Sequence, residues 1–201
     1  MTPHVYVVDD DQSVRNSLQW LLESVGIQTR VFADAQDFVD DYQPGSPGCL
    51  VLDVRMPGMS GLDLQRQLRE REIDLPVIIV TGHADVPMAI RAMKEGAVDF
   101  IEKPYSDQVL LERIQAVLES DVREQARRER VAGIKENFDS LTSRERQIFA
   151  SIVAGQPNKA IANELGISIK TVEVHRSRLM GKMQAGSLSE LVKQALFLEG
   201  D

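Results

Sequence analysis

Residues 4–118 predict a parallel α/β sheet of five strands with helices on both faces, and residues 139–201 predict a small all-α domain. Three observations carry this reading. Short apolar runs alternate five times with stretches of helical period, and parallel strands need such crossovers because a tight hairpin joins only antiparallel ones. The rear residues instead give four short helical periods separated by Gly, Pro and Ser. Charge divides along the same line. Residues 1–118 hold 10 Lys and Arg against 19 Asp and Glu, residues 119–138 hold 5 against 5, and residues 139–201 hold 8 against 7. An acidic front and a near-neutral rear imply different partners.

Taken in order, residues 4–8 form the first strand, and Asp9, Asp10 and Asp11 follow at once. Residues 13–25 place Val14, Leu18, Leu21, Leu22 and Val25 at helical spacing. Trp20 in this helix is read as a packing residue, and Gly26 ends the helix. Residues 27–32 alternate as a strand, and residues 34–42 form the second helix. The turn Pro44-Gly45-Ser46-Pro47-Gly48 leads into residues 49–52, an apolar run buried on both faces that stops abruptly at Asp53. Pro57, Gly58 and Gly61 break the chain into a loop, and a helix begins over residues 62–68. The fourth strand, residues 76–80, is stopped by Thr81-Gly82, and the helix over 85–95 ends at Gly96. The fifth strand, 98–101, runs into Glu102-Lys103-Pro104, and Ser106 caps a helix to residue 119.

Right-handed crossovers leave few topologies. The flavodoxin-like order 2-1-3-4-5 sets strands 1 and 3 side by side at the switch point, where ligands bind beyond the carboxyl ends of the strands. Those ends carry Asp9, Asp10 and Asp11, then Asp53, Thr81 and Lys103. Asp9, Asp10 and Asp53 are expected to converge there. Three carboxylates so close repel and hold protons more tightly. A hard divalent cation with oxygen ligands and retained waters relieves this, and Mg²⁺ suits. Lys103 adds a second positive centre and Thr81 a hydroxyl. Together they make a receptor for a phosphoryl group, which the Asp53 carboxylate attacks to give an aspartyl phosphate. His83 is read as a surface loop residue, since a lone imidazole needs a partner to be tuned as a base.

Composition sets the outer bounds. At 43% hydrophobic and 27% charged residues, the chain fits a globular class. It holds no apolar run of about 18 residues, so no membrane helix is expected, and no signal peptide is read at the start. A single cysteine, Cys49, fits a reducing compartment, and the cytoplasm is the expected location.

Residues 4–118 resemble the receiver domain of two-component response regulators. The resemblance rests on Val7-Val8-Asp9-Asp10-Asp11, Asp53-Val54-Arg55-Met56-Pro57-Gly58, Thr81-Gly82 and Lys103-Pro104. It implies that Asp53 is the phospho-acceptor and that a sensor histidine kinase is the donor. It also implies that Asp10 is a direct Mg²⁺ ligand, that Asp9 acts largely through water, and that the backbone carbonyl of Arg55 completes the protein ligands. Thr81 and Lys103 would bind the phosphoryl group, and the Lys103–Pro104 peptide bond would be cis. Phe100 stands at the aromatic switch position, where many receivers carry Tyr. Without a hydroxyl, its rotation must be driven by packing alone.

The linker, residues 120–138, is rich in helix formers with charges about four apart. It either continues the fifth helix or forms its own, with Gly133 as a soft spot. In the rear domain, Thr142 and Glu145 form a capping box, and Gly155-Gln156-Pro157 stops the helix they open. Residues 158–165 form a second helix, Gly166-Ile167-Ser168 a tight turn, and residues 169–183 a third helix. Ser187 caps a fourth, from residue 188 to about residue 199. A helix, a short turn with Gly and a longer helix make a helix-turn-helix. In its third helix Val172, Leu179, Met180 and Met183 share the inner stripe. Lys170, Thr171, Glu173, Val174, Ser177, Arg178 and Lys182 share the outer one, the candidate face for a DNA major groove. Residues 158–183 hold five Lys and Arg against two Glu, a local excess that suits phosphates.

Residues 139–201 resemble the LuxR-type output domain, on Leu141-Thr142-Ser143-Arg144-Glu145-Arg146, Asn158-Lys159-Ala160-Ile161-Ala162, Leu165-Gly166-Ile167-Ser168 and Thr171-Val172-Glu173-Val174-His175. The whole chain resembles the FixJ/NarL class, with residues 183–192 similar to the FixJ branch. The class implies a transcriptional regulator that dimerises on phosphorylation, binds promoter DNA and works with RNA polymerase. One alternative keeps the switch and replaces duplex DNA by a protein or RNA target. Another is a Mg²⁺ phosphatase with an aspartyl nucleophile. Such enzymes place a second acid two residues after the nucleophile, whereas this chain has Arg55 there, so a non-enzymatic regulator is the reading adopted.

Overall fold

A computed structural model describes residues 3–199. Two compact units part between Gln125 and Ala126.

The first unit is built as expected. Strands β1 (His4–Val8), β2 (Gln28–Phe32), β3 (Gly48–Leu52), β4 (Val77–Thr81) and β5 (Ala97–Glu102) form one sheet in the order β2-β1-β3-β4-β5. Every neighbouring pair is parallel. Helices α1 (Gln12–Ser24), α2 (Ala35–Asp41), α3 (Gly61–Glu70) and α4 (Val86–Lys94) are the crossovers. Helix α5 spans Asp107–Asp139. Strands β3 and β4 are buried at every position, so their sequences are continuous Val, Ile and Leu rather than alternating. The sheet separates two cores. Tyr6, Phe38, Leu50 and Ile79 lie in one, and Val5, Leu22, Val51 and Ile114 in the other. Successive side chains on a strand point to opposite faces, so each strand contributes to both.

Each of the first four helices starts on an acid or a hydroxyl. Asp11, Asp34, Ser60 and Asp85 accept hydrogen bonds from the first-turn amides of α1, α2, α3 and α4. Cys49 is fully buried in β3, and burial raises its thiol pKa.

Trp20 departs from the reading. It is 82% exposed, not packed. Leu18 and Leu22 of α1 are buried. Trp20 stands two residues from each, roughly 200° around a helix with 3.6 residues per turn. Val25 is likewise exposed. Replacing Trp20 by Ala is therefore expected to change the unfolding free energy by less than about 0.5 kcal/mol, as at other open surface positions. A loss of several kcal/mol in urea titration would show that the ring is packed after all.

In the second unit α6 (Ser143–Val153), α7 (Asn158–Leu165), α8 (Ile169–Lys182) and α9 (Leu188–Glu199) close around Ile148, Ile161, Val172, Leu179 and Leu191. The end of α5 belongs to this core. Ile134 is buried in it, and Phe138 meets Phe149 edge to face at a 5.2 Å centroid separation. The sequence placed residues 120–138 in a linker, whereas their second half supplies core side chains. Helix α5 runs without a break through Gly133.

Candidate functional site

In the first unit the polar residues at the strand ends meet. Asp9 follows β1 and Asp53 follows β3, and these strands are direct neighbours. The Asp53 amide donates to the Val8 carbonyl at 2.9 Å, which carries the pairing one residue past the strand. The loop after Asp53 then folds back, with the Gly61 amide donating to the Val54 carbonyl at 3.0 Å. A Cβ on Gly61 would collide with the Asp53 carbonyl, so only glycine lets α3 start this close.

Both carboxylates are buried, at 4% and 8% residual exposure. They share one cation. Lys103 Nζ donates to Asp9 Oδ2 at 2.8 Å and to Asp53 Oδ1 at 3.1 Å. Lys103 comes from the end of β5, where its amide donates to the Thr81 carbonyl at 2.8 Å, and the Lys103–Pro104 bond is cis. The Asp11 amide donates to Asp9 Oδ1 at 2.9 Å, and the Arg55 amide to Asp53 Oδ2 at 2.7 Å. Thr81, 1% exposed, ends β4. Phe100 is half-buried against the core that contains Ala92, and Met88 packs on that core as well.

Burial raises the Asp53 pKa, Asp9 adds to the rise, and Lys103 with the Arg55 amide only partly opposes it. The Lys103 ammonium is held above its usual value by the two carboxylates, against the opposing effect of burial. The pocket therefore carries two acids against one base and still favours added positive charge.

The expected convergence is met by Asp9 and Asp53 but not by Asp10. Asp10 is exposed, and among the described residues no three His, Cys, Asp or Glu side chains are gathered to hold a metal. A small hard cation that keeps most of its waters needs only one or two carboxylates. The oxygen donors and the excess of negative charge fit Mg²⁺. His83 is exposed, as read. One contributor escaped the sequence reading. Arg15 Nη1 donates to the Asp9 carbonyl at 2.6 Å and so helps place the backbone of that acid. Its only sequence signal was its position one turn into α1.

In the second unit α7 and α8 are joined through Gly166, which adopts φ +64° as the left-handed end of α7. Ser168 caps α8 by accepting from the Thr171 amide at 3.1 Å. Val172, Leu179 and Met183 are buried, while Lys170, Glu173, Val174, Ser177 and Arg178 are exposed. Thr171 is half-buried. Arg176, which the sequence reading passed over, donates to Asn158 Oδ1 at 3.1 Å and ties α8 to the start of α7.

Lys182 departs from the outward reading. Its ammonium donates to Glu145 Oε2 at 2.7 Å and to the Ser140 carbonyl at 3.1 Å. Glu145 is buried and also accepts from the Thr142 amide at 2.9 Å. The Lys182 hydrogen bond and the Thr142 amide hold its pKa down to about 2. Lys182 thus completes the cap of α6 rather than facing a phosphate.

A receiver sheet with this acid pair, followed by a helix-turn-helix unit, defines a class, and comparison with known proteins bears it out. Residues 5–115 match the response regulator receiver domain, and residues 139–195 match the bacterial regulatory proteins of the luxR family. The chain belongs to the two-component response regulators in which a receiver domain is joined to a LuxR-type DNA-binding domain, and it is a transcriptional regulator.

More particularly, it is 47% identical over 197 residues to the transcriptional regulatory protein FixJ of Bradyrhizobium diazoefficiens, covering 96% of this chain and 94% of that one. It is 44% identical over 189 residues to the response regulator protein TodT of Pseudomonas putida, covering 94% and 83%. The solved structure of the response regulator StyR superposes with a TM-score of 0.89 at 43% identity, covering 98% of this chain and 99% of that one. Among the described residues no helix is long and apolar enough to cross a membrane.

Proposed function

We propose that Asp53 is the phospho-acceptor, that a sensor histidine kinase donates the phosphoryl group, and that the modified chain dimerises and binds promoter DNA in the cytoplasm. The sharing of Lys103 by two buried carboxylates at adjacent strand ends carries this reading. An Asp53 oxygen attacks phosphorus, the P–N bond to the donor imidazole breaks, and the leaving nitrogen keeps the electron pair and takes up a proton. Lys103 pairs with the transferred group, and the Thr81 hydroxyl donates to one of its oxygens. Asp9, Asp53 and the Arg55 carbonyl would hold Mg²⁺, which would offset charge on the transferring oxygens. Slow loss of the phosphoryl group acts as a timer rather than as turnover.

The signal leaves through α4 and β5. As Thr81 moves to the phosphoryl group, Phe100 follows by repacking. Val86, Ile90, Met93 and Val98 already expose apolar surface on these two elements, and this is the face proposed to self-associate. Pairing raises the effective concentration of the second DNA-binding unit, so a weak single-unit site becomes adequate. Lys170, Thr171, Glu173, Val174, Ser177 and Arg178 face the groove, and RNA polymerase is the downstream partner.

Asp53→Asn tests the scheme. It is expected to abolish labelling by a small-molecule phosphodonor and any donor-dependent gain in duplex binding. It is also expected to stabilise the first unit at pH 7. The folded Asp53 pKa is raised, so stability is lost as pH rises from its unfolded value of 3.8 through the raised folded value; asparagine has no such loss. Donor-dependent DNA binding that survives in Asp53→Asn would refute the assignment. Duplex affinity should fall steeply with salt as counterions compete, and a salt-insensitive complex would favour a protein target.

A further inference from the structure

The outer face of α8 carries a pattern that narrows which duplex sequences can satisfy it, given the reading of α8 as the groove-facing helix. Lys170, Glu173, Val174, Ser177 and Arg178 are all exposed. They recur three or four residues apart, which makes one stripe on a helix of 3.6 residues per turn. Lys170 and Arg178 at the two ends of the stripe suit phosphate oxygens. Glu173 and Val174 between them do not.

A carboxylate that faces a polyanion is repelled unless a donor meets it. The chain does not neutralise this one. Arg176, three residues on, is turned to Asn158 Oδ1 at 3.1 Å, and Lys182 is held by Glu145 at 2.7 Å. Among the described residues Glu173 has no ion-pair partner. The major groove offers two amino donors, cytosine N4 and adenine N6. In an A·T pair N6 lies between two acceptors, adenine N7 and thymine O4. Cytosine N4 has an acceptor, guanine O6, on one side only. A group that can only accept is therefore repelled less at cytosine. Val174 is an independent observation. It leaves an aliphatic side chain 44% exposed on the same stripe, and the apolar group that the groove presents is the thymine methyl.

We propose that Glu173 and Val174 are the specificity residues of α8. Glu173 accepts from a cytosine N4 amino group, and Val174 covers the methyl of a thymine in a neighbouring base pair. Consecutive helix residues rise by about 1.5 Å and point about 100° apart, against about 3.4 Å between base pairs, so neighbouring pairs are within their reach. Lys170 and Arg178 supply attraction that is the same for every sequence.

The full chain, treated with a small-molecule phosphodonor, is used to select from a random-sequence duplex library. The selected half-site is expected to hold a C·G pair beside a T·A pair. Glu173→Gln is expected to exchange that cytosine for adenine, which glutamine meets through N6 and N7, with a swing in relative affinity of about tenfold. Replacing the thymine by uracil removes only the methyl. It is expected to weaken wild-type binding about fivefold, whereas Val174→Ala should bind both duplexes alike. The uracil comparison on the wild-type chain needs no variant to fold. An unchanged cytosine preference in Glu173→Gln overturns the inference, as does equal wild-type affinity for thymine and uracil duplexes. Duplex binding without sequence preference also overturns it and leaves DNA binding itself standing. No duplex binding at all overturns both.

Discussion

Glu145→Ala is expected to lower the unfolding free energy of the second unit by roughly 2–3 kcal/mol, the sum of a lost helix cap and a lost charge-assisted hydrogen bond. The residue does two jobs. It closes the capping box with Thr142, and it receives Lys182 from the far end of α8. Removing it leaves the Thr142 amide and hydroxyl without their acceptor and releases the end of the helix that presents Lys170, Glu173 and Arg178. In a unit this small a loss of that size shifts the midpoint by roughly 10–20 °C and is a large share of the total. Hydrogen exchange at the buried amides of Ile148 and Leu179 measures it. The pH dependence has a definite sign. The folded pKa of Glu145 is about 2 against 4.5 unfolded. Its contribution is complete above about pH 4.5 and is lost as pH falls toward 2. Glu145→Gln should remove that slope. An unchanged acid limb in the glutamine variant would show that the carboxylate is not paired in solution.

Lys103→Met is expected to have the largest effect in the first unit. Asp9 and Asp53 would remain buried without their shared ammonium, at a cost of about 3 kcal/mol or more. The Asp53 pKa, already raised by burial, would rise further once the ammonium that opposes the rise is gone. The sign follows from that rise. The destabilisation is full at neutral pH and is relieved as pH falls through the raised value, because one carboxyl accepts a proton. Wild-type and variant stabilities should therefore converge on acidification from pH 7. Added Mg²⁺ should return part of the loss at pH 7, since a cation that binds only the folded pocket stabilises it. Urea denaturation with and without Mg²⁺ gives both readings. A variant as stable as wild type at pH 7 would mean the acid pair does not depend on Lys103.

Much of the fold was legible because its signals are local. Continuous apolar runs at residues 49–52 and 76–80 mark strands buried on both faces. Caps such as Ser106 and Ser187, and breaks such as Gly26 and Gly96, mark the helix ends. The phosphoryl site was legible for a related reason: Asp9, Asp53, Thr81 and Lys103 each end an apolar run, and one topology brings such ends together. Where the reading failed, the missing fact was a contact between distant residues. Trp20 is the exception: its residue type suggested core, whereas its local helical phase against Leu18 and Leu22 puts it outside. Lys182 sat on the polar stripe of α8, and nothing local indicated that Glu145, 37 residues earlier, would claim it.

The sequence by itself determined the element order, the parallel sheet and the strand ends that hold the chemistry, since periodicity and turn residues act over a few positions. Tertiary structure alone decided which charges are shared, which face outward and where a helix ceases to be linker. Lys103 between two acids, Lys182 turned inward and Ile134 taken into the second core all depend on burial and on pairing across the chain, which no local pattern encodes.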